Sequence, residues 1–449
     1  MARPERRRPL IDLALASGKA YGRAIADETQ RVELADLACA TNVTVPLERL
    51  RGRSVLLLTG PQLPAVLAVL ALDGIAARLF LGLPDLGAED LPRVMAEGEV
   101  DVVMKDRDFS AALHPDSGAP HDRPIDTEWI LFTSGTMGAP RMVAHNLASL
   151  ISPIEDGLAA GPDVVWSTFY DVRRYGGLQI LLRALLGGGS MVLSSPGESI
   201  AELLLRAGKA GVTHMSGTPS HWRRALMSPM AERLAPRYVR LSGEIADQAI
   251  LDNLRAAFPG AEIGHAFAST EAGLAFDVRD GLEGFPAEHV DRPGATPELR
   301  VVNGTLRVRS PRTATRYLGS GANLTDREGF VDTGDMVERR GARYYFLGRR
   351  EGVINVGGQK VHPEEVEAVL NRHPGVRVSR VWGRPSPITG ALVAADIVLR
   401  DPAGDFEALC ENLRQACRAA LPAHKVPVSL RAVPSLGTSS SGKLMRRDG

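Results

Sequence analysis

Short apolar runs separated by helix-length stretches recur along the first two-thirds of the chain. This alternation restricts the possible folds more than any other feature. Ser54-Val-Leu-Leu-Leu-Thr59, Ala77-Arg-Leu-Phe-Leu81 and Val100-Asp-Val-Val-Met104 each have strand length, and an apolar helix from Pro64 to Ala76 fits between the first two. Hydrophobic strands alternating with helices predict a mostly parallel sheet covered on its faces. The rhythm continues with strands at 164–170, 190–194, 212–216, 238–241 and 262–267, and helices at 178–186, 200–210 and 247–258. Polar loops follow strand ends at residues 133, 217, 242 and 268. In an open α/β sheet the carboxyl ends of the strands border one crevice, so these loops are predicted to converge there.

From Glu298 the texture becomes β, with a hairpin turning at Asn303-Gly304 and further strands at 330–335 and 342–347. The last hundred residues have a pattern of their own. A helix opens at Pro363 and runs from Glu364 to Arg372, strands follow at 376–382 and 392–399, and a helix spans Phe406 to Leu421. The expected fold class is therefore α/β. A large domain over residues 1–348 combines mainly parallel α/β sheets with a small β subdomain, and a small α+β lid covers 349–449. Cys410 and Cys417 fall on the apolar stripe of the last helix and read as core thiols.

Composition excludes several function classes. Lys plus Arg and Asp plus Glu both number 53, so net charge gives no pull toward nucleic acid or a membrane surface. Aromatics are only 5 %, too few for stacking platforms along a single strand. Three cysteines with no Cys-x-x-Cys spacing suggest a reducing compartment and no metal knot. Leu10 to Ala16 is interrupted by Asp12 and reads as a helix of the mature protein, and no apolar run is long enough for a membrane span. A cytoplasmic protein, monomer or homodimer, is expected.

The most chemical stretch runs from Ile130 to Asn146. An apolar strand leads into Thr133, Ser134, Gly135, Thr136, Met137 and Gly138, then Pro140 and Arg141. Hydroxyls, amides made accessible by glycine and a fixed cation together suit a polyphosphate. Taken alone, the stretch reads more readily as a solvated turn than as a phosphate cradle. Thr270-Glu271 at a strand end suits Mg²⁺ held against phosphate oxygens, or a simple cap. Asp335, in Thr-Gly-Asp, suits ribose hydroxyls or a turn. Arg349 suits a ligand or an interdomain ion pair, and Lys443, after a Gly/Ser loop, suits a developing negative charge or open solvent.

Their order carries more than any single segment. Phe132-Thr-Ser-Gly-Thr-Met-Gly-Ala-Pro-Arg141, Phe267-Ala-Ser-Thr-Glu271, Asp332-Thr-Gly-Asp335, Gly348-Arg-Arg-Glu-Gly-Val-Ile-Asn-Val-Gly-Gly358 with Glu364-Glu-Val-Glu367, and Ser441-Gly-Lys443 follow one another. Over residues 50–449 the chain resembles the adenylate-forming superfamily of acyl- and aryl-CoA synthetases, adenylation domains and luciferases. That resemblance implies attack of a carboxylate on ATP to give acyl-AMP and pyrophosphate, then transfer to a thiol. Coenzyme A is the leading acceptor, because no carrier domain is attached; carrier-protein phosphopantetheine or an amine is the alternative, and a non-catalytic nucleotide-binding relative is a third.

The resemblance also implies roles for single residues. Thr133, Ser134, Gly135, Thr136, Gly138 and Arg141 would cradle the β/γ-phosphates. Phe267 would pack on adenine beside Gly243 and Glu244, and Thr270 would hold the α-phosphate. Glu271 would hold Mg²⁺, and Asp335 and Arg349 the ribose. Lys443 would bridge the carboxylate and the α-phosphate. Glu351 falls at the hinge about which the small domain turns, and Gly357 and Gly358 would line a pantetheine tunnel. Pocket candidates for the acid are Tyr170, Tyr175, Thr218, Ala266 and Ala272. Asp171 occupies a strand where amino-acid-activating relatives bind an α-amino group. The departures are Arg141 for lysine, Met137 for a hydroxyl residue, Ala268 for glycine, and a shortened N-terminal part.

Overall fold

The alternation folds into two large sheets whose strands end against a shared cleft. The computed structural model describes residues 8–18, 21–115, 124–133, 140–154, 161, 163–319, 321–401, 404–437 and 445. One sheet has the strand order Arg316–Leu318, Arg141–Asn146, Glu128–Thr133, Arg78–Leu81, Ser54–Leu58, Val102–Lys105. Its last four strands are parallel to one another, and its first three pair antiparallel.

The larger sheet has eight strands, in the order Gly273–Val278, Glu262–Ser269, Tyr238–Ser242, His214–Gly217, Val165–Thr168, Ser190–Val192, Ala24–Ala26, Arg31–Glu33. It is parallel in the middle and antiparallel at both edges. A core of Trp129, Leu181 and Leu185 with the helices Gln62–Leu72 and Tyr175–Leu186 lies between these layers. A five-stranded antiparallel sheet follows, from Phe285–Pro286 to Arg343–Arg349, and its hairpin turns at Asn303 and Gly304, both at positive φ.

Residues from Ile354 onward form a sheet of their own around the helices Pro363–Asn371 and Phe406–Ala420, with a distinct core of Val366, Leu370, Val381, Ile397, Leu413 and Cys417. Cys410 and Cys417 are buried there, and burial pushes the Cys417 thiol up to about 11. Pro363 stands at the first helical position, where its missing N–H costs nothing.

Several elements differ from the expected bounds, among them the helix Tyr175–Leu186, which starts three residues before Leu178. The expected helix from Pro64 begins at Gln62 and ends at Leu72, because Asp73 leaves the helix to accept from Leu10 N at 2.7 Å and Trp129 Nε1 at 2.9 Å. Beyond Pro140 the chain forms the strand Arg141–Asn146, which pairs back on Glu128–Thr133 with Thr133 opposite Arg141. Edge and antiparallel pairings of this kind have no helix between strands to announce them.

Candidate active site

Two adjoining cavities open where the strand ends meet. The first, of about 380 Å³, is lined by Thr133 and Arg141 from the strand pair 128–146, Tyr170, Arg174 and Tyr175 before the helix Tyr175–Leu186, Thr270 and Glu271 after Glu262–Ser269, and Arg349 to Glu351. The second, of about 270 Å³, is lined by Gly243, Glu244, Ala266, Phe267, Asp335, Phe346 and Arg349, and is closed by Glu364, Glu367 and Asn371 from the small domain. Gly243, Ala268 and Arg349 border both. The strand ends at Thr133, Ser242 and Ser269 therefore meet as the strand-end argument requires.

The second cavity has an aromatic wall. Phe267 stacks on Phe346 with centroids 5.0 Å apart and on Phe276 at 5.7 Å, leaving a flat apolar surface on the cavity side. Gly243 has φ +83°, a conformation that glycine adopts without strain. Next to it Glu244 accepts from Ser220 N at 2.9 Å and Ser220 Oγ at 3.0 Å, which fixes its carboxylate. At the far end Asp335 and Arg349 face each other in antiparallel register, with Arg349 Nε 3.1 Å from Asp335 Oδ1. A carboxylate held by a guanidinium retains acceptor capacity for hydroxyl groups.

The first cavity is ringed by charge. Glu271 receives a bond of 3.4 Å from the Tyr317 hydroxyl, and the Arg141 guanidinium lies 5.7 Å from the centre of the Tyr317 ring. Burial, and next the Glu271 charge, raise the Tyr317 pKa, so its hydroxyl stays protonated and donates. Glu271 is thus a carboxylate on a cavity wall with oxygen capacity to spare. Among the described residues no group of three or more metal-ligating side chains occurs. That donor set fits Mg²⁺, which is typically held by one or two carboxylates with phosphates and water completing its shell.

The main chain around Thr270 is tied down on both sides. His145 Nε2 lies 2.7 Å from the Thr270 carbonyl, and Ala314 N donates to the Glu271 carbonyl at 2.9 Å. His145 was not picked out by sequence reading; its signal was a histidine at an inward position of the strand that leaves the glycine-rich loop.

Other sequence-derived candidates fall as follows. Tyr170 donates to the Ser242 carbonyl at 2.7 Å and, with Tyr175, borders the first cavity, while Ala266 borders the second. Thr218 is fully buried as the N-cap of the helix Pro219–Ala225, and Ala272 is sealed in the core of the β subdomain; neither reaches a cavity. Glu351 borders the first cavity. Gly357 and Gly358 are exposed at a hairpin turn and border neither cavity. Asp171 gives both carboxylate oxygens to buried Arg173, at 2.8 and 2.6 Å, and is absent from both walls. Ser134, Gly135, Thr136, Met137, Gly138 and Lys443 lie outside the described residues.

The chain belongs to the AMP-binding enzyme family, whose model matches residues 49–318, and the family's C-terminal domain matches residues 365–443. Among curated proteins it is 26 % identical over 358 residues to the human mitochondrial acyl-coenzyme A synthetase ACSM2B, covering 71 % of this chain and 59 % of that protein's length. It is 25 % identical over 442 residues to a feruloyl-CoA synthase of an Amycolatopsis species, with 86 % of each covered. Among solved structures, a benzoate CoA ligase of Burkholderia xenovorans superposes with a TM-score of 0.81 at 20 % identity over 98 % of this chain and 99 % of that one. The mixed α/β fold is thus shared with that enzyme.

Proposed function

We propose that this protein activates a carboxylic acid with ATP to an acyl-adenylate, releasing pyrophosphate, and passes the acyl group to coenzyme A. The observation that carries the reading is the meeting of Thr133, Arg141, Thr270 and Glu271 at one cavity with Phe267 and Asp335 at the next, Arg349 bordering both. A nucleotide laid across both would put its base on Phe267, its ribose at Asp335 and Arg349, and its phosphates between Arg141 and Thr270. Mg²⁺, held at Glu271, would neutralise phosphate charge. Attack at phosphorus needs alignment and charge neutralisation, and these groups provide both.

The small domain after residue 348 acts in this reading as the lid that brings Lys443 to the α-phosphate, with Glu351 at its hinge and Gly357 and Gly358 in the thiol path. The sequestered Asp171 favours an acid without an α-amino group, and the tyrosines Tyr170 and Tyr175 favour an aromatic or medium acyl group. The test is acid-dependent exchange of pyrophosphate into ATP across aliphatic, aryl and amino acids, followed by mass spectrometry with coenzyme A. Exchange with thioester formation supports the reading. Exchange without coenzyme A consumption reassigns the acceptor to a carrier protein or an amine. ATP binding with no exchange for any acid overturns the enzyme reading.

A further inference from the structure

His145 is fully buried, on the same strand as the exposed Arg141 that lines the first cavity. A carbonyl oxygen only accepts, so Nε2, 2.7 Å from the Thr270 oxygen, carries the proton. Nδ1 lies 3.1 Å from Ser149 Oγ, and Ser149 in turn is held by the Asn146 cap at 2.8 Å. The ring packs against Tyr175, with centroids 5.6 Å apart. Burial lowers its pKa to about 4, so the neutral tautomer with the proton on Nε2 is the resident form near neutral pH.

What this bond joins is more informative than its length. His145 sits on Arg141–Asn146, the strand leaving residues 134–139, in the six-stranded sheet. Thr270 follows the strand Glu262–Ser269 of the eight-stranded sheet. The neighbouring residues repeat the connection: Ala314 N donates to the Glu271 carbonyl, and Thr315 N donates to the Ala144 carbonyl at 2.8 Å. The two backbone bonds run through the segment 314–315, and from the strand Arg316–Leu318 the Tyr317 hydroxyl reaches the Glu271 side chain at 3.4 Å; His145 ties the Arg141 strand itself directly to the main chain of the turn. It thereby fixes the distance from Arg141, on its own strand, to Thr270 and Glu271.

We infer that His145 is a positioning residue that sets the spacing between the Arg141 strand and the Thr270-Glu271 turn, and so tunes recognition of the Mg²⁺-bound polyphosphate without touching it. The inference rests on the nucleotide reading of the cavities. Catalytic constellations need their supporting side chains locked, and a supporting partner of a metal-binding group is typically worth ten- to hundredfold.

The test compares His145→Gln, whose amide nitrogen reaches where Nε2 stands, with His145→Asn, whose shorter amide reaches only the Nδ1 position. Calorimetry with MgATP and with adenosine needs no turnover. The expected result is a MgATP dissociation constant raised on the order of tenfold in His145→Asn, largely restored in His145→Gln, with adenosine binding unchanged in both. Thermal melting establishes that both variants are folded. Equal losses for MgATP and adenosine, or equal behaviour of the two variants, would overturn the inference by showing a packing role only. Absence of MgATP binding in the unaltered protein would instead remove the nucleotide reading on which it rests.

Discussion

Asp335 and Arg349 show how a single pairing prepares a site. They oppose each other in the register of two antiparallel strands and hold an ion pair at 3.1 Å with the arginine half exposed. Exposed pairs of this kind add little stability; under the proposed function the pair presents a fixed acceptor and donors to the ribose. Asp335→Ala is expected to leave the urea midpoint nearly unchanged while raising the KM for ATP by about tenfold, the equivalent of one charge-assisted hydrogen bond. Steady-state exchange kinetics at saturating acid give that number. For Lys443 the expectation separates two half-reactions. Lys443→Ala should lower adenylation strongly and spare thioester formation from supplied acyl-AMP, and an equal loss of both would make the lysine structural.

Among elements, the helix ends depend on one arginine. Arg23 is fully buried and donates to the carbonyls of Ala14 at 2.8 Å, Leu185 at 2.5 Å and Gly189 at 3.2 Å. It thus satisfies the last turns of the helices Leu10–Ala16 and Tyr175–Leu186, the second of which carries Tyr175 to the cavity. Arg23→Met keeps the length but leaves these acceptors dry, and should cost about 2–4 kcal/mol in urea unfolding. Gly348, near the end of the strand Arg343–Arg349, has φ +129°, and a Cβ there would lie 2.2 Å from the Glu364 carboxylate. Gly348→Ala is expected to lose at least about 1 kcal/mol by the same measurement, since the strain remains even if Glu364 swings away.

Across the whole molecule, buried histidines set the response to acid. Burial holds His145 at about 4 and His221 at about 3, both below the ordinary 6.5. In both, the unfolded chain takes up protons first, so their stability contribution is complete above pH 6.5 and is lost as pH falls toward 4 for His145 and toward 3 for His221. At the acid end His145 accounts for about 3 kcal/mol and His221 for about 5 kcal/mol. Asp73 works the other way: burial raises it to about 6, so folding gains as pH falls from 6 toward 3.8, also by about 3 kcal/mol. The two histidines outweigh the one carboxyl, and the urea midpoint should therefore decline between pH 6.5 and 4. His221→Gln should flatten part of that decline. A midpoint that rises on acidification would show that the histidines are solvated in the folded protein.

The sequence by itself determined the strand–helix rhythm, the change to β near residue 298, the helices of the last hundred residues and the family, because each rests on local pattern: periodicity, Pro363 at a helix start, Asn303-Gly304 at a turn, and ordered short motifs. Asp335, Arg349, Phe267 and Glu271 were legible as residues from those motifs. Only the tertiary structure decided how they meet, because that depends on pairings between strands far apart in the chain. It put Asp335 opposite Arg349, stacked Phe267 on Phe346, buried Thr218 and Ala272 away from both cavities, and used Asp171 to hold Arg173. It also tied the two sheets through His145 and Thr270, 125 residues apart. No local rule contains such a bond, since the partner that makes a buried histidine useful arrives only when the two sheets close on each other.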